Sequence, residues 1–198
     1  MNLVDLKSLK EEIFKTFKLA YPVIIGQLGV IMMGVVDSIM VGRLGPVPLA
    51  AASLGNSLIF IILIIGIGSS IVISPLVAIL VGGNRFSECG TYFRQSLAVN
   101  IALSLVMIII ILLGVNFIYL LIQPPEIIEQ AIVYMSIVGL SALPLMIYQT
   151  YKQFIEGLSV MKPAMIIALL ANFINAFANW VLIFGELGFP KLGIAGAA

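Results

Sequence analysis

Asp37 stands in the run Gly34-Val35-Val36-Asp37-Ser38-Ile39-Met40, an acid surrounded by apolar residues, with no other charge between Leu19 and Gly42. An ionisable group in such a run is costly in hydrocarbon, so it marks an ion or proton path by default. An aspartate is too short to snorkel to the interface as lysine does. Arg43 lies six residues on, where an intrahelical pair needs three or four. A second polar set, Asn172, Asn175 and Asn179, falls in the charge-free run from Pro163 to Gly185. At 100° per residue these amides share a stripe of ~60° on a helix. Counted inward from the far ends of their runs, Asp37, Asn179 and Asn175 lie roughly 8, 9 and 15 Å deep. Ser53, Asn56 and Ser57 share a face at the start of another run, and Gln27 and Gly34 fall within about 80° of Asp37. A buried carboxylate beside neutral amide oxygens can pick up H⁺ or hold Na⁺, and neutralising it changes which helix packing is preferred. Asp37, Asn175, Asn179 and Asn172 are therefore the cation-coupling candidates, and Gln27, Asn56 and Ser53 the candidates for lining a substrate cavity. No cofactor is expected, and no metal beyond a Na⁺ at Asp37. Singly, each Asn or Ser reads as hydrogen-bonding glue between helices.

The elements that must hold these groups are membrane spans. The chain is 62% hydrophobic and 10% charged, with a mean hydropathy of +1.21. Charges are absent from Leu44 to Asn84, Gln95 to Pro125, Gln130 to Tyr151 and Pro163 to Gly185, and about 20 apolar residues suffice to cross a bilayer. Helices are predicted over 18–42, 49–80, 92–122, 126–151 and 163–185. The second would be roughly 48 Å long against a ~30 Å core, so a bend is expected at Gly66, Gly68 or Pro75. Pro144 is expected to kink the fourth. The fold class is thus all-α, a polytopic membrane bundle with five complete spans and the start of a sixth after Pro190. Residues 1–17, with Leu6, Leu9, Ile13, Phe14 and Phe17 at helical spacing, are expected to form an amphipathic interfacial leader, and 18–198 a truncated membrane lobe.

Basic residues set the orientation. A cytoplasmic N-terminus puts Lys7, Lys10, Lys15, Lys18, Arg85, Arg94, Lys152 and Lys162 inside and only Arg43 and Lys191 outside. The charged start is too long for a cleavable signal. The chain has no His, which removes a Ser-His-Asp triad and a His-based zinc site, and no enzyme is expected. The lone Cys89 excludes an intrachain disulfide and is placed in a cytosolic loop. No basic stripe with interleaved aromatics suggests nucleic acid. Glu156 is read as a solvated loop residue pairing with Lys152 or Lys162, and Trp180 as an interface anchor.

Leu19-Ala20-Tyr21-Pro22 followed by Gly34 to Gly45 resembles the first helix of multidrug and toxic-compound extrusion (MATE) transporters. Leu49 to Asn56 is similar to the start of that family's second helix, and Ser74 to Ala78 with Gly82-Gly83-Asn84-Arg85 to its end. Glu156-Gly157-Leu158-Ser159 with Lys162-Pro163, Asn175 to Asn179, Phe184-Gly185 and Gly193 to Ala198 continue the likeness in order. The resemblance implies one lobe of a twelve-helix secondary transporter in the cell membrane. Such a protein exchanges cationic or amphipathic drug-like molecules for Na⁺ or H⁺, and Asp37, Asn175 and Asn179 match its helix 1 and helix 5 positions. Its partners would be the bilayer, a small organic cation and a missing C-terminal lobe. A lipid-linked oligosaccharide or polysaccharide flippase of the same superfamily is the nearest alternative, although more basic residues would be expected toward its cavity. A non-transporting membrane scaffold or remnant is the alternative of another class.

Overall fold

The computed structural model describes residues 6–120 and 123–198, and among these it contains helices and no strand. In chain order they are α1 (Leu6–Gly42), α2 (Pro46–Ile71), α3 (Ile73–Gly82), α4 (Phe86–Gly114), α5 (Pro125–Leu140), α6 (Ala142–Gly157) and α7 (Lys162–Phe184). α4 runs on into a 3-10 turn, Val115–Leu120, and further 3-10 turns cover Glu186–Gly188 and Gly193–Gly196. Among the described residues, four helical stretches are long and apolar enough to cross a membrane: α1, α2 with α3, α4 with its 3-10 turn, and α7. The pair α5 and α6, bent by 41°, makes a fifth. The chain is a multi-pass membrane protein, and beyond α7 the described residues hold the 3-10 turns Glu186–Gly188 and Gly193–Gly196.

Prolines decide where these helices start and bend. Pro46, Pro125 and Pro163 sit in the first turns of α2, α5 and α7, where a missing N–H costs nothing. Inside a span the same residue deprives the carbonyl four positions back of its donor and crowds it with the ring. The α2–α3 break at Val72 precedes Pro75, and the α5–α6 break at Ser141 precedes Pro144. Gly66 and Gly68, the other expected bend sites, lie inside α2. Gly66 instead permits close packing, since a Cβ there would come 2.8 Å from the sulfurs of Met107 and Met146. Gly185, at φ 77, ends α7 in the left-handed conformation that glycine adopts freely.

The leader is not a separate element where it is described. Residues 1–5 lie outside the described residues, and from Leu6 the helix continues unbroken into α1, a rod roughly 55 Å long. Ile13, Phe14 and Phe17 are exposed along it.

The contacts give the topology. On α1 and α7, Gly26 faces Met165 and Gly29 faces Ala168 and Asn172, so the two helices run parallel. α2 and α5 are also parallel, with Gly55 against Tyr134 and Met135. α4 runs antiparallel to both α2 and the α5–α6 pair: Ile111 sits on Gly139, and Asn100 reaches Ser70 and Thr150. Lys15, Lys18, Arg85, Arg94, Lys152 and Lys162 therefore gather at one end of the bundle, and Arg43 and Lys191 at the other. The apolar core is formed by Ala51, Ile59, Ile111, Ile128, Ala131 and Met135, with Val115 and Ile118 of the 3-10 turn. Large apolar side chains such as Phe60, Ile79 and Phe173 face outward, as a lipid solvent allows.

A buried polar network crosses this core. Asn100 donates to Ser70 Oγ at 3.1 Å and to Thr150 Oγ1 at 2.7 Å, and accepts from Ser69 at 3.4 Å. Ser70 and Thr150 themselves donate to carbonyls of their own helices, Gly66 and Met146. Asn100→Ala therefore strands no hydroxyl donor, and it is expected to cost only about 1–2 kcal/mol. The unfolding midpoint in a denaturing-detergent titration measures this.

Candidate cation site between α1 and α7

Small residues bring the two helices together. Gly26 and Gly29 on α1 meet the buried Ala164 and Ala168 side of α7, and a Cβ on Gly26 would already touch the backbone at Met165. Backbones this close let short polar side chains reach across. Near the far end of the pair, Asn179 Nδ2 donates to Asp37 Oδ1 at 2.6 Å. The same amide lies 3.4 Å from Asn175 Oδ1, one turn away on α7. Asn179 is buried at 4%, while Asp37 and Asn175 are half-buried. The equal depths counted from the sequence thus correspond to a direct contact.

This is an oxygen-rich, uncharged setting around one carboxylate. Among the described residues no three His, Cys, Asp or Glu side chains cluster as a transition-metal site would require. Carboxylate and amide oxygens instead suit a hard cation or a proton. Asp37 Oδ1 and Asn175 Oδ1 both accept from the Asn179 amide, and each oxygen keeps a further lone pair that a cation could use.

The other candidates are placed elsewhere. Asn172 is not part of the cluster: it lies two turns, roughly 10 Å, from Asn179, and its amide donates to the carbonyls of Gly29 and Ala168. It is interhelical glue, because its helical phase matches that of Asn175 and Asn179 but its depth does not. Asn56 accepts a hydrogen bond from Tyr134 Oη at 3.1 Å, and Asn56 and Ser53 are exposed on α2. Gln27 lies about 15 Å from Asp37 along α1, lining a narrow cavity with Tyr148, Lys152 and Glu156 at the opposite half of the bundle. Glu156 is not a loop residue: α6 continues through Gly157, and Glu156 is half-buried in its last turn. Among the described residues the ion pair formed is Arg85–Glu88, and Glu156 has none. Cys89 likewise sits in the first turns of α4, buried, and not in a loop.

Two features escape a span-by-span reading. Tyr134, buried with Val41, Ala52 and Ile183, links the α1–α7 pair to Asn56 on α2. A tyrosine within an apolar run carries no signal of its own until its partner is known. The Asn100 network escapes it because Asn100's partners, Ser70 and Thr150, lie on other helices.

Comparison with known proteins agrees with this architecture. The family model MatE matches residues 22–181. The chain is 36% identical over 190 residues to a probable multidrug resistance protein NorM of Mesorhizobium japonicum, covering 95% of this chain and 41% of that protein. It is 31% identical over 188 residues to the multidrug resistance protein NorM of Vibrio parahaemolyticus, covering 94% and 41%. The chain therefore spans about two-fifths of the length of these curated relatives. Among solved structures, an outward-facing multidrug resistance MATE family transporter of the MOP superfamily superposes with a TM-score of 0.83 at 22% identity, covering 91% of this chain and 40% of that one. A MOP superfamily transporter from Pyrococcus furiosus gives 0.79 at 22% identity, with 91% and 39% covered. These likenesses carry the fold. With most of its length matched by the family model, from the proline of α1 to the amides of α7, the chain belongs to the MatE family.

Proposed function

We propose that this chain is the N-terminal lobe of a cation-coupled exporter of cationic or amphipathic drug-like molecules, set in the cell membrane with its N-terminus in the cytoplasm. Asp37, Asn175 and Asn179 would take up the coupling ion, Na⁺ or H⁺. The reading is carried by the contact between Asp37 and Asn179, a carboxylate within a span tied to an amide of a neighbouring helix. Binding a cation there neutralises the one acid of the α1–α7 pair within the bilayer and so alters the preferred pairing of the two helices. The names of the relatives support a drug-like substrate, and the paucity of basic residues inside the bundle disfavours a polyanionic or lipid-phosphate cargo.

A thermal-unfolding comparison in NaCl and choline chloride tests the site without requiring transport. Occupancy at tenfold to hundredfold excess over Kd is expected to stabilise the chain by about 1.4 to 2.7 kcal/mol. The Na⁺ response should weaken in Asn175→Ala and vanish in Asp37→Asn. If the proton is the ion instead, the hydrophobic reagent dicyclohexylcarbodiimide, which attacks protonated buried carboxyls, is expected to label Asp37. A chain indifferent to Na⁺ and unlabelled at Asp37 has no such site.

A further inference from the structure

At the other end of α1, roughly 28 Å from Asp37, a groove of about 500 Å³ opens between α1 and the loop entering α7. Lys15 and Lys18 of α1 and Lys162 of α7 line it together with Ser159, Leu19 and Val160. All six are exposed. α7 has 23 residues and is roughly 35 Å long, so with Phe184 at one bilayer boundary Lys162 comes to the other. α1 runs parallel to α7, and Pro22 shares a cavity with Met161 and Ala164. Lys162 is therefore about level with Val23, with Lys18 roughly 7 Å and Lys15 roughly 12 Å further along α1, within the reach of their long side chains into the same groove.

Three lysines thus line the upper part of a wall that is apolar toward the bilayer, where Leu19, Val23 and Ile24 are exposed. None of the three lysines is in an ion pair among the described residues. Glu11, one turn from Lys15 on α1, shares an adjoining groove with it and offsets it in part, leaving Lys18 and Lys162 as the charges without a nearby acid. Glu12 lies further along α1, away from the bilayer, and Glu156 faces Gln27, Tyr148 and Lys152 in the adjoining cavity. A phosphate-sized negative charge at the rim and a hydrocarbon chain along the wall would match both halves of the groove. Basic pockets between spans at this depth attract anionic headgroups.

We propose that this groove binds an anionic glycerophospholipid, its phosphate held among Lys15, Lys18 and Lys162 and one acyl chain laid along the apolar wall. The bound lipid ties together the ends of α1 and α7 opposite the Asp37–Asn179 contact. The assignment needs only that the chain sits in a bilayer, and it is independent of the ion site and of the orientation.

The protein is reconstituted into symmetric vesicles of phosphatidylcholine containing a trace of photoreactive phosphatidylglycerol, and cross-linked peptides are mapped. Labelling is expected on the α1 segment around Lys18 and on the Ser159–Lys162 loop, with unlabelled phosphatidylglycerol competing. Single Lys→Gln changes are expected to weaken the preference for phosphatidylglycerol about fivefold each, and the triple change about a hundredfold. Lys→Arg versions should retain it, which separates lost charge from lost folding. Arg43→Gln with Lys191→Gln, at the opposite end, should leave the labelling unchanged. Retention of the preference by the triple Gln variant overturns the proposal. So does an equal loss in the Arg43 and Lys191 control, competition by inorganic phosphate as effective as by the lipid, or a cross-link at Lys18 to a second copy or to a further lobe in place of lipid.

Discussion

Asp37→Asn is expected to abolish ion-gradient stimulation of drug efflux while leaving the α1–α7 pair assembled. Asparagine has the size of aspartate and keeps an oxygen at Oδ1, so the donor from Asn179, now at 2.6 Å, still finds an acceptor. What is lost is the charge that a proton or Na⁺ neutralises. A ligand shifts a conformational equilibrium only by its differential affinity for the two states, so removing the ion's attachment point removes the shift. Couplings of this kind are typically 1–3 kcal/mol, so stimulation should fall by about 5- to 150-fold. The measurement is efflux of a fluorescent organic cation under imposed Na⁺ and pH gradients, in the protein as the cell makes it. The unfolding midpoint of the variant, close to that of the parent, shows that the helix pair survived. Asp37→Ala is the less informative change, because it removes the charge and the interhelical hydrogen bond together. Efflux that still follows the imposed gradient in Asp37→Asn places the coupling elsewhere.

Gly157→Ala is expected to be among the most damaging single-methyl additions in the bundle. Gly157 is buried in the last turn of α6, and a Cβ there would stand 2.7 Å from the carbonyl oxygen of Ser74 and 2.7 Å from Val77 Cβ. Neither is the tip of a flexible side chain. One is backbone and the other a β-branched stem, so relief requires α3 to move off α6. Overpacking of this sort costs roughly 1–3 kcal/mol, enough to lower the yield of folded protein in detergent. Gly68→Ala is the paired control: nothing lies within 4 Å of its added Cβ, and helix propensity alone should stabilise α2 by up to about 1 kcal/mol. Equal midpoints for the two variants would mean that the α3–α6 approach is not tight.

Both expectations rest on pairs of residues, and that is where sequence reading runs out. Lipid forces each span to be a long, charge-free helix, so the spans, their approximate limits and their alternating directions are written in the spacing of a few charges. Prolines act within one turn of themselves, which is why the bends beside Pro75 and Pro144 were foreseeable without a structure. The anomaly of Asp37 is equally local, since any acid in that run would be out of place. Glu156 shows the weaker kind of inference: charge and composition suggested a loop, but the helix extends to Gly157 because the glycine lets α6 settle against α3.

What the tertiary structure alone decided is which polar groups meet. Asn172, Asn175 and Asn179 share one face of α7, yet only the last two accompany Asp37, because the close approach of Gly26 and Gly29 to α7 sets the offset between the helices and gives Asn172 the Gly29 carbonyl instead. Tyr134 joins Asn56, and Asn100 joins Thr150, across helices whose relative rotation no single span encodes. The period and hydrophobicity of one helix specify its own faces and length. The depth at which two helices register depends on side chains interlocking from both, and that exists only once they are packed.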